Sequence, residues 1–136
     1  MPTFKRKSHT KQPDLHLGPL PVDAINRTLG TDYAFGEVIF TRAAQVHAAS
    51  RHPDEYPSCL PHVGAVIRYP LYIGDDLKNH GKIELIARIP RIRGGLLVAI
   101  NMERQLTGAY YVCSMYRVDE AKIQKRRDKG FLKVAQ

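Results

Sequence analysis

From Lys82 to Ile89 side chains alternate, with Ile83, Leu85, Ala87 and Ile89 on one side and Lys82, Glu84, Ile86 and Arg88 on the other. A period of two predicts a half-solvated strand. Arg93, Gly94 and Gly95 then break the chain at what reads as a hairpin turn. Leu96 to Met102 is apolar on both sides except at Asn101, which suits a central strand. Tyr110 to Tyr116 predicts a third strand, and strict alternation puts Tyr110, Val112, Ser114 and Tyr116 on one face and Tyr111, Cys113 and Met115 on the other.

The first half of the chain reads differently. Glu37 to Thr41 is a short β-type run, and Thr41 is a good N-cap for a helix over Arg42 to Arg51. Ala43, Val46 and Ser50 fall at helical spacing with His47, which predicts that His47 lies on the inward stripe with Arg51 one turn further along it. Pro53 disfavours helical geometry at His52, so the helix should end there. A second helix is expected over roughly Ser58 to Arg68, where Leu60, Val63 and Ile67 share a face and Pro61 fits the first turn. Residues 1–35 hold four of the nine prolines and show no sustained period, so they read as an arm or linker broken at most by a short helix, Val22 to Leu29. The domain is expected over residues 36–136.

Charge changes this picture at the two ends. The net charge of +8 and pI near 9.7 imply an anionic partner, but residues 13–116 balance ten basic against ten acidic side chains. Residues 1–12 carry Lys5, Arg6, Lys7 and Lys11 with no acid, and residues 117–136 carry seven Lys or Arg against three acids. The C-terminal segment, an expected helix over Asp119 to Lys129, therefore offers Lys122, Lys125, Arg126 and Arg127 to phosphates. With 136 residues the chain is the usual size of one domain. Its longest apolar run, Leu96 to Ile100, is far below the roughly 20 residues of a membrane span, and no signal-peptide core follows Met1. Cys59 and Cys113 are far apart and read as two ordinary buried thiols.

The sharpest chemical feature is His47-x-x-x-Arg51-His52-Pro53. RNA cleavage without a metal needs a base for the 2′-hydroxyl proton, an acid for the leaving 5′-oxygen and cations for the phosphorane, and histidine titrates near neutrality. A histidine on an apolar helix face is nevertheless more often a hydrogen-bonded core residue than a catalyst. A zinc site is not expected, because His47 and His52 are five apart and no Glu follows His47. Nor does any Gly-rich phosphate loop appear, and no cofactor is implied.

The order of these elements, with the helix ending in Arg51-His52-Pro53 and the later turn Tyr69-Pro70-Leu71-Tyr72-Ile73, resembles the phage and polyvalent-protein branch of the barnase/EndoU/colicin/RelE-like nucleases. That group is also found as toxin tips of contact-dependent inhibition systems. The resemblance covers about residues 36–127, roughly two thirds of the chain. It implies an α+β fold with N-terminal helices packed on one face of a small antiparallel sheet, and active residues on the open face beside a helix. It further implies that His47 and His52 match the helix histidines, Arg51 the arginine between them, and Ser114 the strand hydroxyl residue, where Thr is the family's usual choice. Tyr116 would be a phosphate ligand, and the cationic strand residue is either Lys82 or Arg88.

The function so implied is a metal-independent endoribonuclease that leaves a 2′,3′-cyclic phosphate, with structured RNA, tRNA among the candidates, as substrate. It would act in the cytoplasm as a toxin or effector domain, delivered as part of a larger protein and held in check by an acidic immunity or antitoxin protein. Two other readings stay open at this point. One is a non-catalytic RNA- or DNA-binding module that uses its basic ends for phosphates and Tyr110, Tyr111 and Tyr116 for stacking. The other is a toxin-like domain repurposed as an adaptor.

Overall fold

In the computed structural model, residues 13–75 and 81–136 are described. The basic residues expected in positions 1–12 lie outside them. In chain order the elements are β1 (Leu15–Pro19), α1 (Val22–Leu29), β2 (Glu37–Phe40), α2 (Arg42–Arg51), α3 (Tyr56–Cys59), a 3-10 turn (Leu60–His62) and α4 (Val63–Arg68). Then come β3 (Tyr72–Asp75), β4 (Lys82–Ile89), a second 3-10 turn (Pro90–Ile92), β5 (Gly94–Asn101), β6 (Tyr110–Val118), α5 (Glu120–Asp128) and β7 (Leu132–Val134). The seven strands form one sheet in the order β1-β2-β6-β5-β4-β3-β7. The mixed α/β architecture agrees with the expected α+β class.

The three strands expected from the second half form the sheet's centre. β4 and β5 pair in unbroken antiparallel register from Lys82↔Asn101 to Ile89↔Gly94, and β5 pairs antiparallel with β6. Two features depart from the sequence reading. The sheet is larger than expected and not wholly antiparallel, because β2 runs parallel to β6 through Val38↔Tyr110 and Ile39↔Tyr111. The second helix is split at Leu60–His62 into α3, a 3-10 turn and α4, although Val63 and Ile67 are buried as expected.

The folded unit also begins earlier than residue 36. β1 pairs antiparallel with β2, and Leu20 and Ile25 are enclosed in the main core. Residues 1–35 suggest an arm because Leu15-His16-Leu17-Gly18-Pro19 carries only two large apolar side chains and a proline. A proline is tolerated here because β1 is an edge strand, and its register breaks between His16 and Pro19.

Apolar side chains separate into two clusters on opposite faces of the sheet. Ile83, Leu85, Leu96, Val98, Ile100, Val112 and Met115 pack with Ile25, Ala48, Cys59, Val66 and Ile67 from the helices α1 to α4. Ile86, Leu97, Ala99 and Val118 pack on the other side with Tyr72, Leu132 and Ile123 of α5. The C-terminal helix thus belongs to the face that the N-terminal helices leave open. Asp119 caps it, its carboxylate accepting from Lys122 N at 2.8 Å.

Strict alternation fails within β6. Ile100 pairs with Val112 while the adjacent Ala99 pairs with Ser114, so one residue, Cys113, is extra. Such a bulge puts two residues opposite one and shifts every later side chain to the other face. Tyr110 and Val112 therefore face the helical core, whereas Ser114 and Tyr116 share the second face with Glu84, Leu97 and Ala99. The expected common face for all four residues is corrected accordingly.

Candidate active site

α2 has the expected bounds, starting on Thr41, whose hydroxyl accepts from Ala44 N at 3.2 Å. Its buried face is not the expected one. Gln45 and Ala48 are buried, whereas Ala43, Val46, His47, Ser50 and Arg51 are on the outer side, with Val46 exposed by 59%. Alanines spread around this helix give no apolar stripe, so the face is chosen by hydrogen bonding. The Gln45 amide donates to Phe40 O at 2.9 Å and Pro13 O at 3.0 Å, which locks that residue inward.

The consequence for the two histidines is decisive. Gln45, Ala48 and His52 lie at i, i+3 and i+7 on one stripe, while at about 3.6 residues per turn His47 is turned roughly 140° away from His52. His52 follows α2 as its C-cap, its N–H bonded to Ala48 O at 3.0 Å and its carbonyl accepting from Tyr56 N at 2.9 Å and Glu55 N at 3.2 Å. This corner holds the half-buried imidazole against Tyr116, ring centroids 5.1 Å apart and planes 23° from parallel. Offset stacking of this kind fixes the ring without using its nitrogens. The structure thus unites His52 with Tyr116, places Ser114 on Tyr116's face two residues before it, and leaves His47 and Arg51 on the outer side of α2.

The expected cations divide into two sets. Lys82 is half-buried on the second face, paired with Asn101 and close enough to Cys113 to oppose the rise that burial causes in that thiol's pKa. Arg88 is on the same face but committed: its Nε and Nη2 donate to Glu120 at 2.8 and 2.9 Å, and Nη2 also reaches the Tyr72 hydroxyl at 3.2 Å. These bonds push the Arg88 pKa up and hold Glu120 below the usual carboxylate range. Arg126 pairs with the buried Glu84, and Arg127 lies 5.0 Å from the centre of the Tyr72 ring with Nη1 3.4 Å from its hydroxyl. Arg88, Arg126 and Arg127 therefore tie α5 to the sheet. Lys122, Lys125 and Lys129 form the exposed stripe of that helix.

Sequence reasoning missed the arginines at the β4–β5 turn. A cleft of about 240 Å³ is lined by Arg91, Arg93 and Arg117 together with Asp54, Glu55, Ser58 and Cys59. It lies where the α2–α3 corner meets the turn, so His52 is two residues from one wall and Tyr116 one residue from another. Arg117 Nε donates to Ile92 O at 2.8 Å and its Nη2 donates to Arg93 O. Burial and the Glu55 carboxylate push the Cys59 thiol pKa up while Arg117 opposes them, as expected of charges lining the same cleft. The available signal is Arg91-Ile92-Arg93-Gly94-Gly95, two arginines flanking a tight turn. Among the described residues, no group of three or more His, Cys, Asp or Glu gathers at metal-binding distance, and no helix is long and apolar enough to cross a membrane.

A family model described as phage-Barnase-EndoU-ColicinE5/D-RelE like nuclease3 matches residues 16–125, a span that includes nearly all of β1 and the whole of α1 and ends within α5. No curated protein and no solved structure matches the chain.

Proposed function

Because the chain belongs to the phage-Barnase-EndoU-ColicinE5/D-RelE like nuclease family 3 and so carries a nuclease domain, we propose that it is an endoribonuclease needing no metal. The 2′-hydroxyl attacks the adjacent phosphorus, the 5′-oxygen leaves, and the products end in 2′,3′-cyclic phosphate and 5′-hydroxyl. The observation that carries this reading is the His52–Tyr116 stack at 5.1 Å beside an arginine-lined cleft. His52 acts as the acid that protonates the leaving oxygen, a role suited to an imidazole held by its ring face. His47, on the far side of α2, is replaced as base by Glu55, whose backbone N–H is bonded to His52 O. Ser114, Tyr116 and Lys82 line the sheet side of the site, and Arg51 meets the RNA at its rim. Structured RNA such as tRNA is the substrate class, cleaved in the cytoplasm. The basic surface would be covered by an acidic immunity protein if the domain is carried on a toxin.

Incubating the purified protein with total RNA in excess EDTA tests the reaction: cleavage should persist and yield cyclic phosphate ends. Activity abolished by chelation and restored by zinc or magnesium would refute the metal-free chemistry, and intact RNA in every buffer would favour a non-catalytic binder.

The exposed lysines of α5 should act on affinity alone. Changing Lys122, Lys125 and Lys129 together to Gln should flatten the dependence of log affinity on log salt by about 0.7 to 0.9 for each phosphate no longer neutralised. Titrating labelled RNA at several salt concentrations measures this, and an unaltered slope would reduce the stripe to a solvated helix face.

A further inference from the structure

From the turn between β4 and β5 we infer a phosphate-binding site that takes a phosphodiester of the RNA strand, formed by Arg91, Arg93 and Arg117. This deepens the ribonuclease reading and rests on it. The arginines expected to hold phosphate, Arg88, Arg126 and Arg127, are bound to Glu120, Glu84 and Tyr72. The turn arginines converge on one cleft instead.

Three features make the cleft a built site. Arg117 is aligned by the carbonyls of Ile92 and Arg93, which occupy its Nε and one N–H of Nη2 and leave Nη1 available to an anion. Gly94 leaves room on this side, since a Cβ there would stand 3.0 Å from Val118 O, 3.1 Å from Arg117 Nε and 3.2 Å from its Cζ. Arg93 has φ 56°, a left-handed conformation that no other non-glycine adopts among the described residues. Holding a long cationic side chain where glycine is favoured costs stability, and such strain collects at functional sites.

Charge and size narrow the ligand. Three guanidiniums outnumber the carboxylates of Asp54 and Glu55, so the cleft attracts an anion, while those carboxylates repel a second one. A volume of about 240 Å³ is below the roughly 300–1,000 Å³ of a drug-sized ligand site and suits a single phosphodiester group. Position links it to the reaction. Asp54 and Glu55 of the cleft wall follow His52 in the same hydrogen-bonded turn, the Glu55 N–H donating to His52 O at 3.2 Å. The α2–α3 corner thus carries both His52 and one wall of the cleft.

The test uses Arg91→Gln with Arg93→Gly, which removes two cations while relieving the left-handed backbone, so the melting temperature should hold or rise. Binding is measured with a single-stranded 2′-deoxy oligonucleotide, which lacks the attacking hydroxyl. The salt slope should fall by about 0.7, the single-strand value for one phosphate no longer neutralised, and KM for an oligoribonucleotide should rise about tenfold or more. A slope and KM equal to those of the parent protein would overturn the site, even if cleavage is confirmed. If the parent protein cleaves no RNA, the ribonuclease reading fails, and the deoxy-oligonucleotide slope still decides whether the arginines grip phosphate. Arg117→Gln supplies a second variant: it removes the aligned guanidinium alone, and it should weaken binding of the deoxy-oligonucleotide and lower the salt slope in the same direction.

Discussion

Replacing His52 by alanine should lower RNA cleavage by about two to four orders of magnitude in kcat while the protein stays folded, the range expected for a general acid or base. Ground-state affinity should change little, because phosphates dominate RNA binding. The alternative is that His52 only fastens the α2–α3 corner to β6 through its stack on Tyr116. On that view His52→Ala would cost about 0.5–1.5 kcal/mol, the worth of an aromatic pair, and leave kcat intact. His52→Phe separates the two, since it keeps the stack and removes the transferable proton. Loss of cleavage in both variants at an unchanged melting temperature would support the catalytic role. A fully active His52→Phe protein would remove His52 from the chemistry. His47→Ala is the internal control: exposed on the outer side of α2, it should retain near-parental activity and stability.

Ile25→Ala should cost about 2–5 kcal/mol of stability, the range for removing a fully buried branched side chain from a packed core. Ile25 has no exposed surface and packs in the cluster that also holds Leu20, Val38 and Phe40. The melting temperature should fall by on the order of 10–20 °C. Removing residues 1–21 should be worse, because β2 would lose its antiparallel partner and Gln45 its bond to Pro13 O. Removing residues 1–12 alone should leave a cooperative transition. Thermal denaturation followed by circular dichroism measures all three. If the chain lacking residues 1–21 melted like the parent, the N-terminal segment would be the detachable arm that its composition suggests.

Much of the local structure is legible in the chain. Alternation locates β4, Pro53 ends α2, Gly94 and Gly95 mark the β4–β5 turn, and the Thr41 cap sets the start of α2. His52 and Tyr116 are both recognisable as candidates from their residue type and position. Less legible are the pairings that decide what each charge does. Nothing local to Arg88, Arg126 or Arg127 marks them as fasteners for α5, and nothing local to Arg91, Arg93 or Arg117 shows that they share a cleft.

By itself the sequence determined where most helices and central strands lie, because periodicity, caps and turn residues act over a few neighbouring positions. Tertiary structure decided which way those elements face. The carbonyls of Phe40 and Pro13 draw Gln45 inward and turn His52, rather than His47, toward the sheet. One extra residue at Cys113 separates Ser114 and Tyr116 from the face of Tyr110 and Val112. Pairing with β2 makes a strand of the weakly apolar Leu15–Pro19. In each case the deciding partner is supplied by another part of the fold, and a period read along one segment carries no information about it.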